Sequence, residues 1–202
     1  MPSSFQNVQL FPTPHPLNAR FWRGKSVGLL GGTFNPAHEG HDLIARRALR
    51  ELSLDCVWWM VAAQNPLKKK RSEQTDFDLR MESVHRFTDA PPRMVTCDLE
   101  AQIQASCSYD TVVFLRQTFA QTRFTWLAGL DNLHTMHRWV AWQSLMNIIP
   151  FAYYNRPYGP TVSRRPVATI GNAVPSPIIQ RYGPTNPNSS TALRFAEKTK
   201  GA

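Results

Sequence analysis

Two histidines, His38 and His41, follow a glycine pair in the segment 31–41, which has the sequence GGTFNPAHEGH. An apolar run at 27–30 precedes the glycines, and a stretch that predicts a helix begins directly after the histidines. A strand that leads through glycines into a helix start is a common way to hold phosphate, because free backbone N–H groups and the positive helix end favour an anion. The imidazoles add donors that can carry charge. The segment therefore indicates nucleotide phosphate chemistry.

Other interpretations of the two histidines are a zinc site, a helix cap or a packing role. A zinc protease motif places its histidines four residues apart, whereas His38 and His41 are three apart. No third cysteine, histidine or aspartate lies nearby at a suitable spacing, so we predict no metal ligands. A cap or a packing role for one histidine stays open.

A second candidate phosphate site lies near the end of the chain, in the segment 188–194, NSSTALR. Serines before an apolar helical stretch are good N-caps. An arginine in the first turn is repelled by the positive helix end unless an anion lies between them. Arg194 therefore indicates a second phosphate contact, and a solvent-facing arginine on an ordinary capped helix is the alternative.

Composition limits the classes of protein. The 202 residues carry 23 Lys and Arg against 14 Asp and Glu, a net charge of +9, so the partner is either a nucleic acid or a small phosphorylated ligand, or else the basic surface has no specific role. Three cysteines at irregular spacing disfavour a disulfide scaffold. No signal peptide pattern starts the chain, and the apolar run at 57–63 is too short to span a bilayer. We predict a cytoplasmic protein.

Alternating strand and helix patterns predict the elements that position these segments. Residues 1–24 are proline-rich and predict a loose N-terminal extension, and residues 25–202 predict a single domain. The fold class is α/β, a Rossmann-like doubly wound parallel sheet with helices on both faces. Ligands of such sheets bind at the carboxyl ends of the strands. The predicted strands are 26–30, 56–63, 94–97, 124–128 and 148–154; the helices are 40–52, 76–87, 109–120, 131–134, 140–147 and 190–198, and a long connection spans 156–188.

With these motifs in place, the chain closely resembles the nucleotidyltransferases that transfer an adenylyl group, and among them the bacterial nicotinate-nucleotide adenylyltransferases. The resemblance covers about residues 26–195. Its motifs are GGTFNPxHxGH at 31–41 and SSTALR at 189–194, with intermediate landmarks at 65–68, 80–81, 109–111, 129–132, 139 and 156–157.

The resemblance implies a reaction. The phosphate of nicotinate mononucleotide attacks the α-phosphorus of ATP, pyrophosphate leaves, and the product is nicotinic acid adenine dinucleotide, an intermediate of NAD biosynthesis. Positioning and charge stabilisation would supply the catalysis, and Mg²⁺ would accompany ATP with few protein ligands.

The resemblance also implies residue roles. The catalytic residues would be His38, His41 and Arg194. The residues that bind ATP would be Gly31, Gly32, Thr33, Phe34, His38, His41, Asp131, Ser190, Thr191 and Arg194. Those that bind nicotinate mononucleotide would be Asn35, Lys68, Ser108 and Trp139. A core or surface aromatic is the alternative for Trp139, and a solvated charge run for Lys68.

The chain departs from the family pattern at Cys107, where the family often has tyrosine, and this leaves the pyridine pocket open. The expected partners are ATP and nicotinate mononucleotide, without nucleic acid or membrane, and the oligomeric state stays open. The alternatives are a related transferase that uses nicotinamide mononucleotide or another phosphorylated acceptor and, more remotely, a non-catalytic protein that binds nucleotides or RNA.

Overall fold

A six-stranded sheet organises the fold, and all its neighbouring strands are parallel, in the order β3-β2-β1-β4-β5-β6. The computed structural model describes residues 10–63, 76–89, 91–129, 132, 135–154 and 178–181. The strands are β1 Ser26–Gly32, β2 Cys56–Val61, β3 Met94–Cys97, β4 Arg123–Gly129, β5 Phe151–Tyr154 and β6 Ile178–Arg181. The helices are α1 Glu39–Glu51, α2 Phe77–Thr88, α3 Leu99–Gln102, α4 Ser108–Thr118 and α5 Trp142–Ile148, and two 3-10 helices span Pro16–Trp22 and Met136–Arg138.

Both faces of the sheet are covered, which confirms the doubly wound α/β prediction. Successive strand side chains point to opposite faces, so Trp58 packs in one hydrophobic cluster and Trp59 in the other. The cluster around Trp59 takes in Ile44 of α1 and Val84 of α2. The cluster around Trp58 takes in residues of α4, α5 and the first 3-10 helix, among them Leu115, Leu145 and Trp22. Every residue of β2 is buried, as expected for a parallel strand with two covered faces.

The strand order reverses between β1 and β4. Val27 of β1 pairs with Cys56 of β2 on one side and with Phe124 of β4 on the other. In open parallel sheets ligands bind outside the carboxyl ends of the strands at such a reversal. Gly32 ends β1 and Gly129 ends β4, so the glycine turn lies at the position where this fold binds ligands.

Several predicted elements differ in the structure. Strand β1 extends to Gly32, so the glycines predicted as a turn belong to the strand, and β2 ends at Val61. The strand predicted at 148–154 begins only at Phe151, because Ile148 still belongs to α5 and Pro150 separates the two. The segment Ile178–Arg181, which we predicted as part of a long connection, adds β6 beside β5. Most of the helices predicted at 131–134 and 190–198 lie outside the described residues.

The N-terminal segment contributes to the core. Pro16–Trp22 form a 3-10 helix, and Trp22 is fully buried with its ring 4.7 Å from that of Trp58. The backbone carbonyl of Trp22 also accepts a hydrogen bond from the Thr122 hydroxyl at 2.9 Å. The division into an extension at 1–24 and a domain at 25–202 stays a prediction. The second half of the segment 1–24, however, makes contacts with the core that the proline pattern did not indicate.

Among the described helices, none combines the length and the apolar content that a membrane crossing requires.

Candidate active site

The end of β1 needs glycine for space. A Cβ on Gly31 would lie 2.8 Å from Cζ2 of Trp126, and one on Gly32 would lie 3.3 Å from Cζ of Phe34. Real Cβ atoms essentially never approach within 3.0 Å of another heavy atom. Gly31 therefore leaves the space that the buried ring of Trp126 occupies, and a Cβ on Gly32 would require the ring of Phe34 to shift slightly.

Phe34 supports the turn from inside the protein. Its ring is 2% exposed, stacks on Trp59 at 5.5 Å and meets the ring of His41 edge-on at 4.9 Å. Its φ of 47° lies in the left-handed region, which costs a non-glycine residue on the order of 1–3 kcal/mol. Buried packing holds that conformation. Because the ring is enclosed, a contact from Phe34 to ATP would have to come from its backbone.

His38 and His41 lie side by side at the start of α1, with ring centroids 3.9 Å apart. His38 is 3% exposed, and its Nδ1 accepts a hydrogen bond from the Gly40 N–H at 3.1 Å. Nδ1 of the half-buried His41 accepts one from the His38 N–H at 3.3 Å. His38 is thus the N-cap of α1, and the two rings form a reciprocal capping box.

The capping bonds define which nitrogen carries the proton. Nδ1 can accept a hydrogen bond only through its lone pair, so a neutral ring in this geometry is protonated on Nε2. Both His38 and His41 therefore use one nitrogen to start the helix and have an N–H donor on the other. The helix-cap interpretation and the phosphate-binding interpretation are compatible, because they involve different atoms of the same rings.

A cleft opens on the sheet edge beside the glycine turn. Gly31, Gly32 and Thr33 line it together with Ser108 of α4 and with Trp139, which follows the second 3-10 helix. The structure thus brings together predicted residues for both substrates. The two histidines do not line this cleft; they are joined to it through Phe34, which contacts both Gly32 and His41. Asn35, predicted to bind the acceptor, is 4% exposed within the loop.

Trp139 and Ser108 form the far wall of the cleft. Trp139 is half-buried, and its ring lies 6.1 Å from that of Trp126 in an edge-on arrangement. Trp139 is therefore both a part of the core boundary and a cleft residue, while its stacking on a nicotinate ring stays a prediction. Ser108 opens the eleven-residue helix α4, and its N-cap Cys107 gives the first turn no side-chain hydrogen bond. First-turn N–H groups of such a helix are donors suited to an anion.

Glu100 is a cleft residue that the sequence analysis missed. Its carboxylate accepts a hydrogen bond from the Thr111 hydroxyl at 3.1 Å. Burial raises the pKa of Glu100 above its ordinary value of 4.5, and the hydrogen bond from Thr111 opposes that rise. Among the described residues, no cation forms an ion pair with it. The position of Glu100 three residues after β3, at the carboxyl edge of the sheet, was the available signal.

The described residues leave some predicted site residues untested. No group of three His, Cys, Asp or Glu within the described part of the chain is arranged to hold a metal ion. The predicted residues Lys68, Asp131, Ser190, Thr191 and Arg194 lie outside the described ranges.

Comparison with known proteins gives one consistent result. The sequence profile described as cytidylyltransferase-like matches residues 29–196. A probable nicotinate-nucleotide adenylyltransferase of Parvibaculum lavamentivorans is 44% identical over 148 residues, which cover 72% of each chain. One from a Caulobacter species is 36% identical over 190 residues, or 87% of this chain and 99% of that protein.

Solved structures agree on the fold. The nicotinic acid mononucleotide adenylyltransferase of Plasmodium falciparum, complexed with NaAD, superposes with a TM-score of 0.71 over 85% of this chain and 83% of that one, at 16% identity. A putative nicotinate-nucleotide adenylyltransferase of Vibrio parahaemolyticus gives a TM-score of 0.56 over 85% and 80% of the two chains, also at 16% identity. At that identity the likeness concerns the fold alone.

Proposed function

Because the chain belongs to the nicotinate-nucleotide adenylyltransferases of the cytidylyltransferase-like family, we propose how its own residues carry out that reaction. The enzyme transfers the adenylyl group of ATP to nicotinate mononucleotide in NAD biosynthesis. A phosphate oxygen of the mononucleotide bonds to the α-phosphorus, the bond from that phosphorus to the bridging oxygen breaks, and pyrophosphate leaves with its electrons. The observation that supports our assignment of roles is the histidine pair at a helix start, joined by a glycine turn to the cleft of Ser108 and Trp139.

We assign ATP to the histidine side of the turn. Negative charge gathers on the oxygens of the transferred phosphorus and on the leaving pyrophosphate, so fixed N–H donors there lower the barrier. The Nε2–H groups of His38 and His41 are held in place by the capping bonds of their Nδ1 atoms, so they need no reorganisation during reaction. Gly31, Gly32 and Thr33 contribute backbone next to the triphosphate. Of Phe34, we assign the backbone alone to ATP.

The remaining ATP contacts rest on the family resemblance. We assign the β- and γ-phosphates to Ser190, Thr191 and Arg194, where a capped helix start and a guanidinium would act together. We assign a ribose hydroxyl to Asp131.

We assign the acceptor to the cleft. The nicotinate ring is flat and aromatic, and Trp139 offers a half-exposed indole on which it can stack. The carboxylate of the ring needs donors, and the first turn of α4 at Ser108 supplies backbone N–H groups. Asn35 and Lys68 would complete the contacts to the mononucleotide.

Magnesium enters the proposal with ATP. The described loop presents N–H donors and imidazoles, which suit phosphate oxygens, whereas Mg²⁺ takes oxygen ligands and keeps several waters. The metal would therefore be held by the phosphates and by water, while His38 and His41 contact the same triphosphate. When bound, it neutralises part of the triphosphate charge.

We also propose that the enzyme works in the cytoplasm. All three cysteines are free thiols. Unpaired cysteines are typical of a reducing compartment.

The test is pyrophosphate release from ATP, Mg²⁺ and nicotinate mononucleotide, with nicotinamide mononucleotide as the competing acceptor. Release with the nicotinate form supports the proposal; release with neither contradicts it.

The role of His41 is tested by two replacements that separate its nitrogens. His41→Asn keeps an acceptor near the position of Nδ1 and removes the Nε2 donor, whereas His41→Gln places an amide N–H near Nε2. We expect His41→Asn to lower kcat/KM by about 100-fold or more, as loss of one fixed donor does, and His41→Gln to lose less. His85→Ala, an exposed histidine on α2, is the matched control. A His41→Asn enzyme as fast as the parent would remove His41 from the mechanism.

A further inference from the structure

A buried arginine outside the predicted site connects two strand ends beneath the phosphate-binding turn. Arg80 of α2 is 2% exposed. One terminal nitrogen, Nη1, donates to the carbonyl of Thr33 at 2.9 Å and to that of Ala62 at 2.7 Å. The other, Nη2, donates to the carbonyl of Ala63 at 3.2 Å. A single guanidinium thus binds three backbone carbonyls.

These carbonyls belong to neighbouring loops. Thr33 directly follows β1, while Ala62 and Ala63 directly follow β2, and the Ala62 N–H bonds the Gly32 carbonyl at 3.0 Å. Arg80 therefore links the two loops where they leave the sheet. The guanidinium of Arg80 is planar and presents several donors in a fixed fork, so it can hold several carbonyls at fixed relative positions. A lysine has a single flexible ammonium group and cannot do this.

The same helix holds the loop at a second place, one turn further along. The Ser83 hydroxyl donates to the Arg80 carbonyl at 2.7 Å and accepts a hydrogen bond from the Ala37 N–H at 3.2 Å. Ala37 directly precedes His38, the N-cap of α1. Helix α2 therefore fixes the loop both where it leaves the glycine turn and where it enters the histidine pair.

The bond to Thr33 also has an electrostatic consequence. A carbonyl oxygen that faced the triphosphate would repel it, whereas the Thr33 carbonyl is committed to Arg80 on the inner side of the loop. Burial lowers the pKa of Arg80 and nearby Asp76 opposes that effect, but an arginine stays charged in proteins. The buried positive charge therefore lies behind a turn that holds polyanions.

We propose that Arg80 is a positioning residue for adenylyl transfer, which orients the loop from Thr33 to His38 against the triphosphate through its three carbonyl contacts. The inference rests on the proposed function. A displacement of about 1 Å in a reacting geometry can cost about 100-fold in rate even when the altered residue never touches the substrate.

The experiment compares Arg80→Met, Arg80→Lys and a control, Arg86→Met, at an exposed arginine of the same helix. Measurements are kcat, the KM for ATP, and the Kd for a non-hydrolysable ATP analogue, on protein whose fold is verified by circular dichroism and thermal melting. We expect Arg80→Met to lower kcat/KM on the order of 100-fold and to raise both the KM for ATP and the analogue Kd about tenfold, an effect of about 1.4 kcal/mol. Arg80→Lys should recover part of the loss, and Arg86→Met should match the parent.

The KM and the Kd separate positioning from stability. A merely structural role reduces the amount of folded enzyme, which lowers the apparent kcat and leaves the KM unchanged. If Arg80→Met does not fold, Arg80→Lys carries the test, because it keeps the charge and one donor group. Folded Arg80→Lys or Arg80→Met with a parental KM and Kd would overturn the proposal. An inactive parent would instead contradict the proposed function, and the analogue Kd would still report on Arg80.

Discussion

Individual side chains at this site combine an observed structural role with a proposed catalytic one. His38 and His41 cap the start of α1 through Nδ1, so a neutral ring of either has its proton on Nε2. Their types and spacing predicted a phosphate site, and the phosphate contacts themselves stay a prediction. The tautomer was not predictable, because it depends on two backbone N–H groups whose directions are set only when α1 forms. Arg80 was noted only as a landmark of the family resemblance, without a role, and Glu100 was missed, because each acts through contacts with residues that are not its sequence neighbours.

Glu100 gives a prediction about pH and stability. Because burial raises its pKa in the folded state, the unfolded chain releases the carboxyl proton first as pH rises. Folding then becomes less favourable from about pH 4.5 upward, until the folded pKa is passed. Glu100→Gln keeps an acceptor for Thr111 without ionising. We expect the variant to gain in free energy of unfolding relative to the parent as pH rises from 4 to 8, measured by urea denaturation.

The control for Glu100 is Glu82→Gln, an exposed carboxylate on α2. The difference in free energy of unfolding between Glu82→Gln and the parent should stay nearly constant from pH 4 to 8. If the free energy of unfolding of Glu100→Gln differed from that of the parent by the same amount at every pH, the Glu100 carboxyl would ionise equally in the folded and unfolded states.

At the scale of the elements, the sequence predicted best where a pattern is local. Helix α1 carries its own signals and was found, whereas the glycine pair predicted as a turn forms the end of β1. The start of β5 was placed three residues early, because residues 148–154 form one apolar run in which helix and strand look alike. Pro150 ends the helix, since a residue before proline is disfavoured in the helical region, and Ile149 is indeed extended. Strand β6 is only four residues long and owes its conformation to pairing with β5, which no local pattern records.

Gly31, near the end of β1, yields a prediction for this element. Gly31→Ala would place a Cβ 2.8 Å from Trp126, and Trp126 is too deeply buried to move freely. We expect a loss of about 1–3 kcal/mol in the free energy of unfolding, the usual cost of overpacking, with a fall in activity as the turn shifts. Chemical denaturation and the pyrophosphate assay measure both.

A second substitution tests the cause of that loss. Trp126→Phe removes the ring atoms that meet the new Cβ, so Gly31→Ala should cost less in the Trp126→Phe background than in the parent. Equal costs in the two backgrounds would mean that the collision with Trp126 is not the reason.

For the molecule as a whole, the N-terminal segment 10–24 packs against one face of the sheet and contributes to the hydrophobic core. Trp22 is enclosed by Trp58 and by Phe11, which stacks on it at 5.6 Å. Trp22→Ala should therefore destabilise the enzyme by about 3–5 kcal/mol, measured by chemical denaturation. Phe21→Ala, whose side chain is 46% exposed, is the control and should cost far less. Nearly equal losses would contradict the assigned role of Trp22.

The strand order also affects how the chain folds as it is synthesised. Val27 pairs with Phe124 in the centre of the sheet, so β1 cannot complete its hydrogen bonding until β4 has left the ribosome. Until then the apolar surfaces of β1 and β2 remain only partly covered. Such long-range pairing slows folding, because a large loop must close before its contacts compensate for the lost entropy. The exposed apolar surface therefore favours aggregation of the nascent chain until β4 pairs with β1.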